Sequence, residues 1–175
     1  TASRVLSKEE GGWTIGALVN ANHGSRETLR VAGVPVGREL TGLKPAYKQD
    51  GSIVVLVATD APLESRQLGR LAKRAMLGLA RTGAVAYHGS GDVALAWSTA
   101  NRLPHYPKEG VLRVKVLSDF HLDALFEAAA EATEEAVVNV LLAGKTTVGR
   151  EGNTVHALPV DRLIKILKNH KAVRE

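Results

Sequence analysis

The feature that most constrains the fold is the run SIVVLVATD at residues 52–60. Nearly every position is apolar and many side chains are β-branched, so neither side of the run alternates to polar residues. A strand with this pattern is typically buried on both faces. We therefore predict a central strand here, in a sheet that other layers cover on both sides.

Further strands are predicted on both sides of this run. Residues 13–24 are a strand candidate that ends in a polar turn, and residues 28–37 resemble a short strand that leaves through a corner at Pro35. The two segments are close enough in sequence to pair as a hairpin. Residues 91–99 predict another strand, and the alternation in residues 111–117 predicts a half-exposed one.

Helices are predicted between and after these strands. Leucine and alanine recur at spacings of three and four in residues 68–79, and Gly83 can take the left-handed cap after them. A second helix, capped by Ser118 or Asp119, is predicted to reach about Leu142, and a short amphipathic helix closes the chain. This order predicts a layered α/β domain with a mixed or antiparallel sheet.

Composition excludes several classes of protein. The chain has 175 residues, enough for one domain, and no cysteine, which excludes disulfides, thiol catalysis and cysteine-bound zinc. No apolar run approaches the ~20 residues of a membrane span and no signal peptide is visible, so we expect a cytoplasmic protein without a membrane partner. The histidines lack metal-binding spacing and no G-x-G-x-x-G or Walker loop occurs, so we expect neither a metal nor a cofactor.

The positive charge leaves a basic nucleic-acid-binding module as an alternative class. The net charge is +5, but only residues 64–74 and 165–174 are locally rich in lysine and arginine. No aromatic-studded RNA-binding motif accompanies them. Solvated helix faces are the favoured interpretation, and we expect no nucleic-acid partner.

The segment before the central strand is the best linker candidate. Residues 41–51, TGLKPAYKQDG, are polar and contain glycine and proline. The chain also opens in mid-pattern without a methionine, so we expect it to be a piece of a longer product.

Gly51 and Ser52, at the junction of this linker and the strand, raise the question of a nucleophile. A serine hydroxyl needs a base, and a serine that begins a chain has its own α-amine, with a pKa near ~7.7–8.0, close at hand. Gly51 would permit a strained backbone, so that an N-to-O acyl shift could cleave the bond and expose this amine. From these two residues alone, a serine that merely follows a turn is the simpler interpretation.

Ser90 and Asp92 form a second candidate for chemistry. They lie two residues apart at the start of a strand, so both side chains face one side, and Asp92 would orient and polarise Ser90. Ser90 could then pass a proton for another group. A polar turn that enters a strand is equally consistent with this spacing.

The segment NANHG is a third candidate. Asn22 would aim its amide at a developing oxyanion, with Asn20 on the same side, although an Asx turn gives the same pattern. His23 is a possible base, but a turn histidine is more often solvated. His88, close to Ser90, is either a base or a surface residue.

Three segments closely resemble the L-aminopeptidase/D-esterase family, the DmpA and BapA group. They read ALVNANHGSRETLRVAGVPVGREL, DGSIVVLVATDAPLESRQLGRLAKRAMLGLARTG and HGSGDVALAWSTANR. The similarity covers almost all of residues 1–120, with the motifs in the family's order. It implies a four-layer αββα sandwich, similar to N-terminal nucleophile hydrolases but with different strand connections, and a precursor that cuts itself before a serine or threonine.

The resemblance also implies a position for each functional residue. The cut falls at Gly51-Ser52, so that residues 1–51 end the first segment and residues 52–175 form the nucleophile-bearing segment of a single catalytic domain. The family's Ser-x-Glu/Asp pair falls on Ser90 and Asp92, where a relative has the longer Glu, and the oxyanion asparagine falls on Asn22. Family precursors are longer, so a missing N-terminal segment or companion chain would supply a further active-site tyrosine. Family members assemble, so we also expect a homo-oligomer.

The implied function is a self-cleaving aminopeptidase that hydrolyses N-terminal residues from peptides, amides or esters through an acyl-enzyme on Ser52. An amidase that acts on unusual amides, such as β-peptides or lactam oligomers, is the alternative within this fold. An acetyl-transferring relative would need a donor and an acceptor site, and no motif for either occurs. Thr1 is a rival nucleophile, but no buried strand follows it.

Overall fold

The computed structural model describes residues 1–45 and 51–173. One sheet has four strands in the order β1-β2-β3-β4, namely β1 (Ala2–Val5), β2 (Thr14–Asn22), β3 (Ser52–Thr59) and β4 (Val93–Ser98). Strand β2 is antiparallel to β1 and β3, whereas β3 and β4 are parallel. The predicted mixed sheet is therefore confirmed, although β1 was not predicted.

Four α-helices, three single-turn 3-10 helices and a small hairpin complete the described part of the chain. The helices are α1 (Val36–Glu39), α2 (Ser65–Arg81), α3 (Asp123–Ala143) and α4 (Val160–Asn169), and the hairpin pairs β5 (Thr147–Val148) with β6 (Thr154–Val155). Helix α2 connects the parallel strands β3 and β4. Within residues 1–45 and 51–173, no helix has the length and apolar character needed to cross a membrane.

Helix α2 has the sequence signals that its bounds require. The Glu64 side chain accepts hydrogen bonds from the Arg66 and Gln67 backbone, and the Gln67 side chain accepts one from the Glu64 backbone, which forms a capping box. At the other end, Gly83 has a φ of +93°, in the left-handed region that glycine tolerates best. The predicted end of this helix is confirmed.

The main core lies between one face of the sheet and the helices α2 and α3. Apart from Phe126, its buried members are small or aliphatic, and the most deeply buried are Ile15, Ile53, Val55, Val57, Ala61, Leu71, Ala75, Leu122, Leu125, Ala129, Ala132 and Ala136. The alanines of α3 allow the two helices to approach closely. At their crossing, a Cβ on Gly78 would lie 2.0 Å from the Ala130 carbonyl oxygen.

The other face of the sheet is open, which contradicts the prediction that β3 is buried on both faces. The side chains of Leu18, Val54, Leu95 and Trp97 on this face are 41–57% exposed. We call this surface, formed by Leu18, Val54, Leu56, Val93, Leu95 and Trp97, the open face. The prediction failed because it assumed a covering layer that the described residues do not supply. The layered α/β class is confirmed. The described residues form one four-stranded sheet layer and one helix layer, made of α2 and α3.

Residues 28–37 do not form the predicted strand or hairpin. Ala32 and Gly33 both have positive φ, so the chain turns back within two residues, and only a single bridge forms between Val31 and Val34. Helix α1 follows directly. The pairing partners of β2 are instead β1 and β3.

Two further predictions are wrong. Residues 111–117 are largely exposed and outside any strand, and the Lys115 backbone N–H and carbonyl are hydrogen-bonded to the Asn101 side chain instead of to a strand. The predicted caps Ser118 and Asp119 do not cap α3, whose N-cap residue is Leu122. Asp119 accepts hydrogen bonds from the Arg66 and Gln67 side chains instead. Of the predicted linker, residues 46–50 lie outside the described residues.

We predict opposite effects for two glycine substitutions within α2. Gly78→Ala should destabilise the fold by about 1–3 kcal/mol, because the new methyl group would force α2 away from Ala130. Gly69→Ala should stabilise it by about 0.5–1 kcal/mol, because a Cβ there meets nothing within 4 Å. Urea unfolding curves measure both changes. Equal effects of the two substitutions would contradict the close helix crossing.

Candidate functional site

The register of the sheet brings the predicted site residues together at one edge. Asn22, the last residue of β2, lies opposite Ser52, the first residue of β3. On the other side of β3, Val54 pairs with Val93, so the start of β4 lies beside Ser52 as well. Ser52 and Asn22 point towards the open face, since their neighbours Ile53 and Ala21 belong to the covered face.

Two close contacts define the position of Ser52. The Gly91 backbone N–H donates a hydrogen bond of 3.0 Å to the exposed Ser52 Oγ. Before Ser52, a Cβ on Gly51 would lie 2.5 Å from the Asn22 carbonyl oxygen and 2.8 Å from the His23 Cα. Glycine is therefore the residue that allows the backbone of this bond to lie against the end of β2.

Ser90 and Asp92 meet directly, next to the bond that precedes Ser52. The Ser90 Oγ lies 2.6 Å from Asp92 Oδ1 and 3.1 Å from the Gly51 carbonyl oxygen. Asp92 Oδ1 also accepts a hydrogen bond of 3.2 Å from the Ile53 backbone N–H. The aspartate, although shorter than a glutamate, reaches Ser90. The serine hydroxyl has one proton and two acceptors within reach, so it can donate to the carboxylate or to the carbonyl oxygen, but not to both at full strength.

A polar cavity of about 240 Å³ adjoins this network. It is lined by His23, Gly24, Ser25, Glu27, Gly51, Val85, Ala86, Tyr87, Gly89, Ser90 and Asp92. Ser52 and Asn22 are not among the lining residues, because they face the open side of the sheet. The site therefore has two sides, with the Ser90–Asp92 pair on the cavity side and the Ser52 hydroxyl on the open face.

Residues 1–155 match peptidase family S58. The chain belongs to this family. It is 42% identical over 186 residues to the beta-peptidyl aminopeptidase BapA of Sphingosinicella microcystinivorans. That match covers 98% of this chain and 47% of the relative, so the chain spans about half the length of such relatives.

Solved structures of similar proteins show the same fold. The L-aminopeptidase D-Ala-esterase/amidase of Ochrobactrum anthropi, described as a variant of the Ntn hydrolase fold, is 40% identical, with a TM-score of 0.90 over 98% of this chain and 48% of its own. The PH0078 protein from Pyrococcus horikoshii OT3 is 50% identical, with a TM-score of 0.87 over 96% of this chain and 46% of its own. The predicted resemblance and the Ntn-like fold are thus confirmed.

His23, which the sequence left open as a base or a solvated turn residue, is half-buried in the structure. His23 is not a solvated turn residue: its Nδ1 is buried and has no hydrogen-bond partner among the residues described. Burial lowers the pKa of His23 below 6.5, and the Asp92 carboxylate partly opposes this by raising it. Since Asn-His-Gly is a common turn, only the close approach of Gly51 could have indicated this burial.

The remaining candidates lie apart from the network. His88 is exposed and does not line the cavity. Asn20 lies on the same side of the sheet as Asn22, opposite Val54. Thr1, the rival nucleophile, directly precedes β1 and does not line the cavity; its carbonyl oxygen accepts a hydrogen bond from Asn139 on α3.

We predict that an NMR titration of His23 gives a pKa below 6.5, and that Asp92→Asn lowers it further because the opposing negative charge is lost. The unfolded chain binds this proton more tightly than the folded chain. The contribution of His23 to stability is therefore present above pH 6.5 and is lost as the pH falls through and below that value. A pKa that rises in Asp92→Asn would contradict the assigned environment.

Proposed function

We propose that the complete protein is a self-cleaving aminopeptidase in which Ser52 becomes the N-terminal nucleophile. The observation that carries the proposal is the set of contacts around the Gly51–Ser52 bond. The serine hydroxyl is held by Gly91, and the carbonyl oxygen of the same bond lies 3.1 Å from Ser90 Oγ. The relatives described as aminopeptidases support the same activity.

Self-cleavage would begin with attack of Ser52 Oγ on the Gly51 carbonyl carbon. The developing oxyanion lies next to the Ser90 hydroxyl, which is connected to Asp92. The serine proton passes to the leaving amide nitrogen, and the acyl group of Gly51 moves to Ser52 Oγ as an ester. Water then hydrolyses the ester, leaving a carboxylate on Gly51 and a free α-amine on Ser52.

Substrate hydrolysis would use the new amine. The α-amine, or the Ser90–Asp92 pair, accepts the Ser52 proton as Oγ attacks the first amide or ester carbonyl of the substrate. Asn22, opposite Ser52 in the register, donates from its side-chain amide to the oxyanion. The leaving amine or alcohol departs with a proton, and water releases the acyl group from Ser52.

β-Peptides and related amides are the second candidate substrate class. The specific support is the similarity to a beta-peptidyl aminopeptidase and to a Burkholderia sp. beta-aminopeptidase, the latter 48% identical with a TM-score of 0.85. Both classes use the same nucleophile. Side-by-side assay of a β-amino acid amide and its α-amino acid counterpart distinguishes them.

We predict that Ser52→Ala in the complete protein abolishes both cleavage and hydrolysis, because Ser52 Oγ is the attacking atom in both proposed reactions. Ser98→Ala on β4, where the hydroxyl donates to the Ala61 carbonyl, is the matched control and should leave both reactions intact. Denaturing gels and amide hydrolysis assays measure the two effects. Two fragments split near residue 51 in Ser52→Ala would refute the nucleophile assignment.

We further propose that the missing N-terminal segment or companion chain covers the open face. This face is apolar over three adjacent strands, as shown by the paired rows Leu18–Leu56–Leu95 and Ala58–Trp97. Exposed apolar patches of this kind mark interfaces. The nucleophile lies at the edge of the same face, so the missing part would also form the second wall of the substrate site.

We predict that Leu95→Glu weakens association with the separately expressed N-terminal half, because it places a charge in the centre of the open face. Leu77→Glu, on the exposed side of α2, is the control. It is the same substitution at a leucine that is 59% exposed, against 57% for Leu95. Co-purification and calorimetry measure binding, and circular dichroism checks the fold. Equal binding by both variants would argue against the open face as the interface.

A further inference from the structure

A second apolar core exists apart from the main one. Its buried members are Val31, Val34, Val36 and Leu40 from one segment, and Leu163, Ile166 and Leu167 from α4. The spacing of the three α4 residues places them on one side of the helix. Val36 and Leu40 are at most 1% exposed, so the burial is deep despite the small size of the cluster.

Polar contacts from α4 extend this packing along the backbone of the same segment. Arg162 donates hydrogen bonds of 3.2 Å and 3.4 Å to the Thr41 and Glu39 carbonyl oxygens. The His170 Nε2 lies 2.7 Å from Glu39 Oε1. Arg162 therefore binds two carbonyl oxygens at the C-terminal end of α1.

The same segment is tied to the wall of the cavity. The Arg26 guanidinium donates to the carbonyl oxygens of Leu40, Gly42 and Leu43. A Cβ on Gly37 would lie 1.6 Å from the Arg26 carbonyl oxygen, so α1 packs tightly on the turn that includes Arg26. The next residue in that turn, Glu27, lines the cavity.

The two halves of this core lie on opposite sides of the proposed cut. Val31 to Leu40 precede Gly51, whereas α4 follows it, and α4 also lies beyond residue 155, where the family match ends. After cleavage, no peptide bond would connect the end of the first fragment, which includes residues 23–45, to the second fragment. The pairing of β2 with β3 holds the first fragment as far as Asn22, and beyond it the Arg30 backbone N–H donates a hydrogen bond to the Thr82 carbonyl oxygen. Among the residues that the structure describes, the backbone hydrogen bonds from Val31 onwards that cross the proposed cut are those to α4.

We propose that α4 is a latch that holds the end of the first fragment on the second fragment after cleavage. The proposal rests on the proposed cut, and its partner surface is the segment from Val31 to Leu43 of the same chain. By holding α1, the latch keeps the Arg26 turn, and with it the cavity wall, in place once the chain is no longer continuous.

The test is limited trypsin digestion of the nicked complete protein, followed by mass spectrometry at the exposed Arg38–Glu39 bond. Arg162→Gln combined with His170→Gln should accelerate this cut by about tenfold, equivalent to losing about 1.4 kcal/mol of protection against local opening. Leu167→Ala should act in the same direction through the apolar cluster. Lys165→Gln is the control. It also removes one positive charge from α4, but on the exposed side of the helix, so it should not change the rate of cutting at Arg38–Glu39.

The nick itself is made in two ways, so that the latch and the nucleophile are tested separately. One sample relies on self-cleavage. The other carries Ser52→Ala and a protease recognition sequence within residues 46–50, and is nicked by that protease. The latch would be overturned if the Arg162→Gln/His170→Gln variant and the Leu167→Ala variant were both cut at Arg38–Glu39 as slowly as Lys165→Gln. This outcome would count against the latch whether or not the wild-type chain cleaves itself.

Discussion

The pairing of β2 with β3 is the interaction on which the rest of the structure depends. It sets the register from Ile15–Thr59 to Asn22–Ser52, and so decides which side chains of both strands enter the core. A slip of one residue would turn Ile53, Val55 and Val57 to the open face and Ser52 to the helices. The chemistry around Ser52 therefore depends on apolar burial further along the strand, because the same alternation that buries valines exposes the hydroxyl.

The open face explains why the site of this chain is only partly enclosed. Helices α2 and α3 cover one side of the sheet, and the opposite side retains apolar residues that are about half exposed. The Ser90–Asp92 pair is positioned by contacts within the chain, to Gly51 and Ile53. The Ser52 hydroxyl, in contrast, accepts a hydrogen bond from Gly91 and is otherwise exposed on the open face. The chain thus encloses the cavity side of the Gly51–Ser52 bond and leaves its other side uncovered.

Much of this was predictable from sequence, and the failures have physical causes. The central strand, the stripe of α2 and its glycine cap follow from local patterns, whereas the spacing of Ser90 and Asp92 left a shared pocket and a polar turn equally open, and both residues line one cavity in the structure. The strand predicted at residues 28–37 failed because positive φ at Ala32 and Gly33 forces a tight turn that propensity does not reveal. The burial of His23 and the second core across the proposed cut depend on contacts between residues far apart in sequence, which no local pattern encodes.

The roles assigned to Ser52, Asn22, Ser90 and Asp92 all depend on whether the bond before Ser52 is severed by the protein itself. Intact mass measurement of the purified complete wild-type protein, with N-terminal sequencing of each component, tests this most directly. The account predicts two fragments, the second of which begins with Ser52. A single unbroken polypeptide that hydrolyses amino-acid amides at full rate would contradict it.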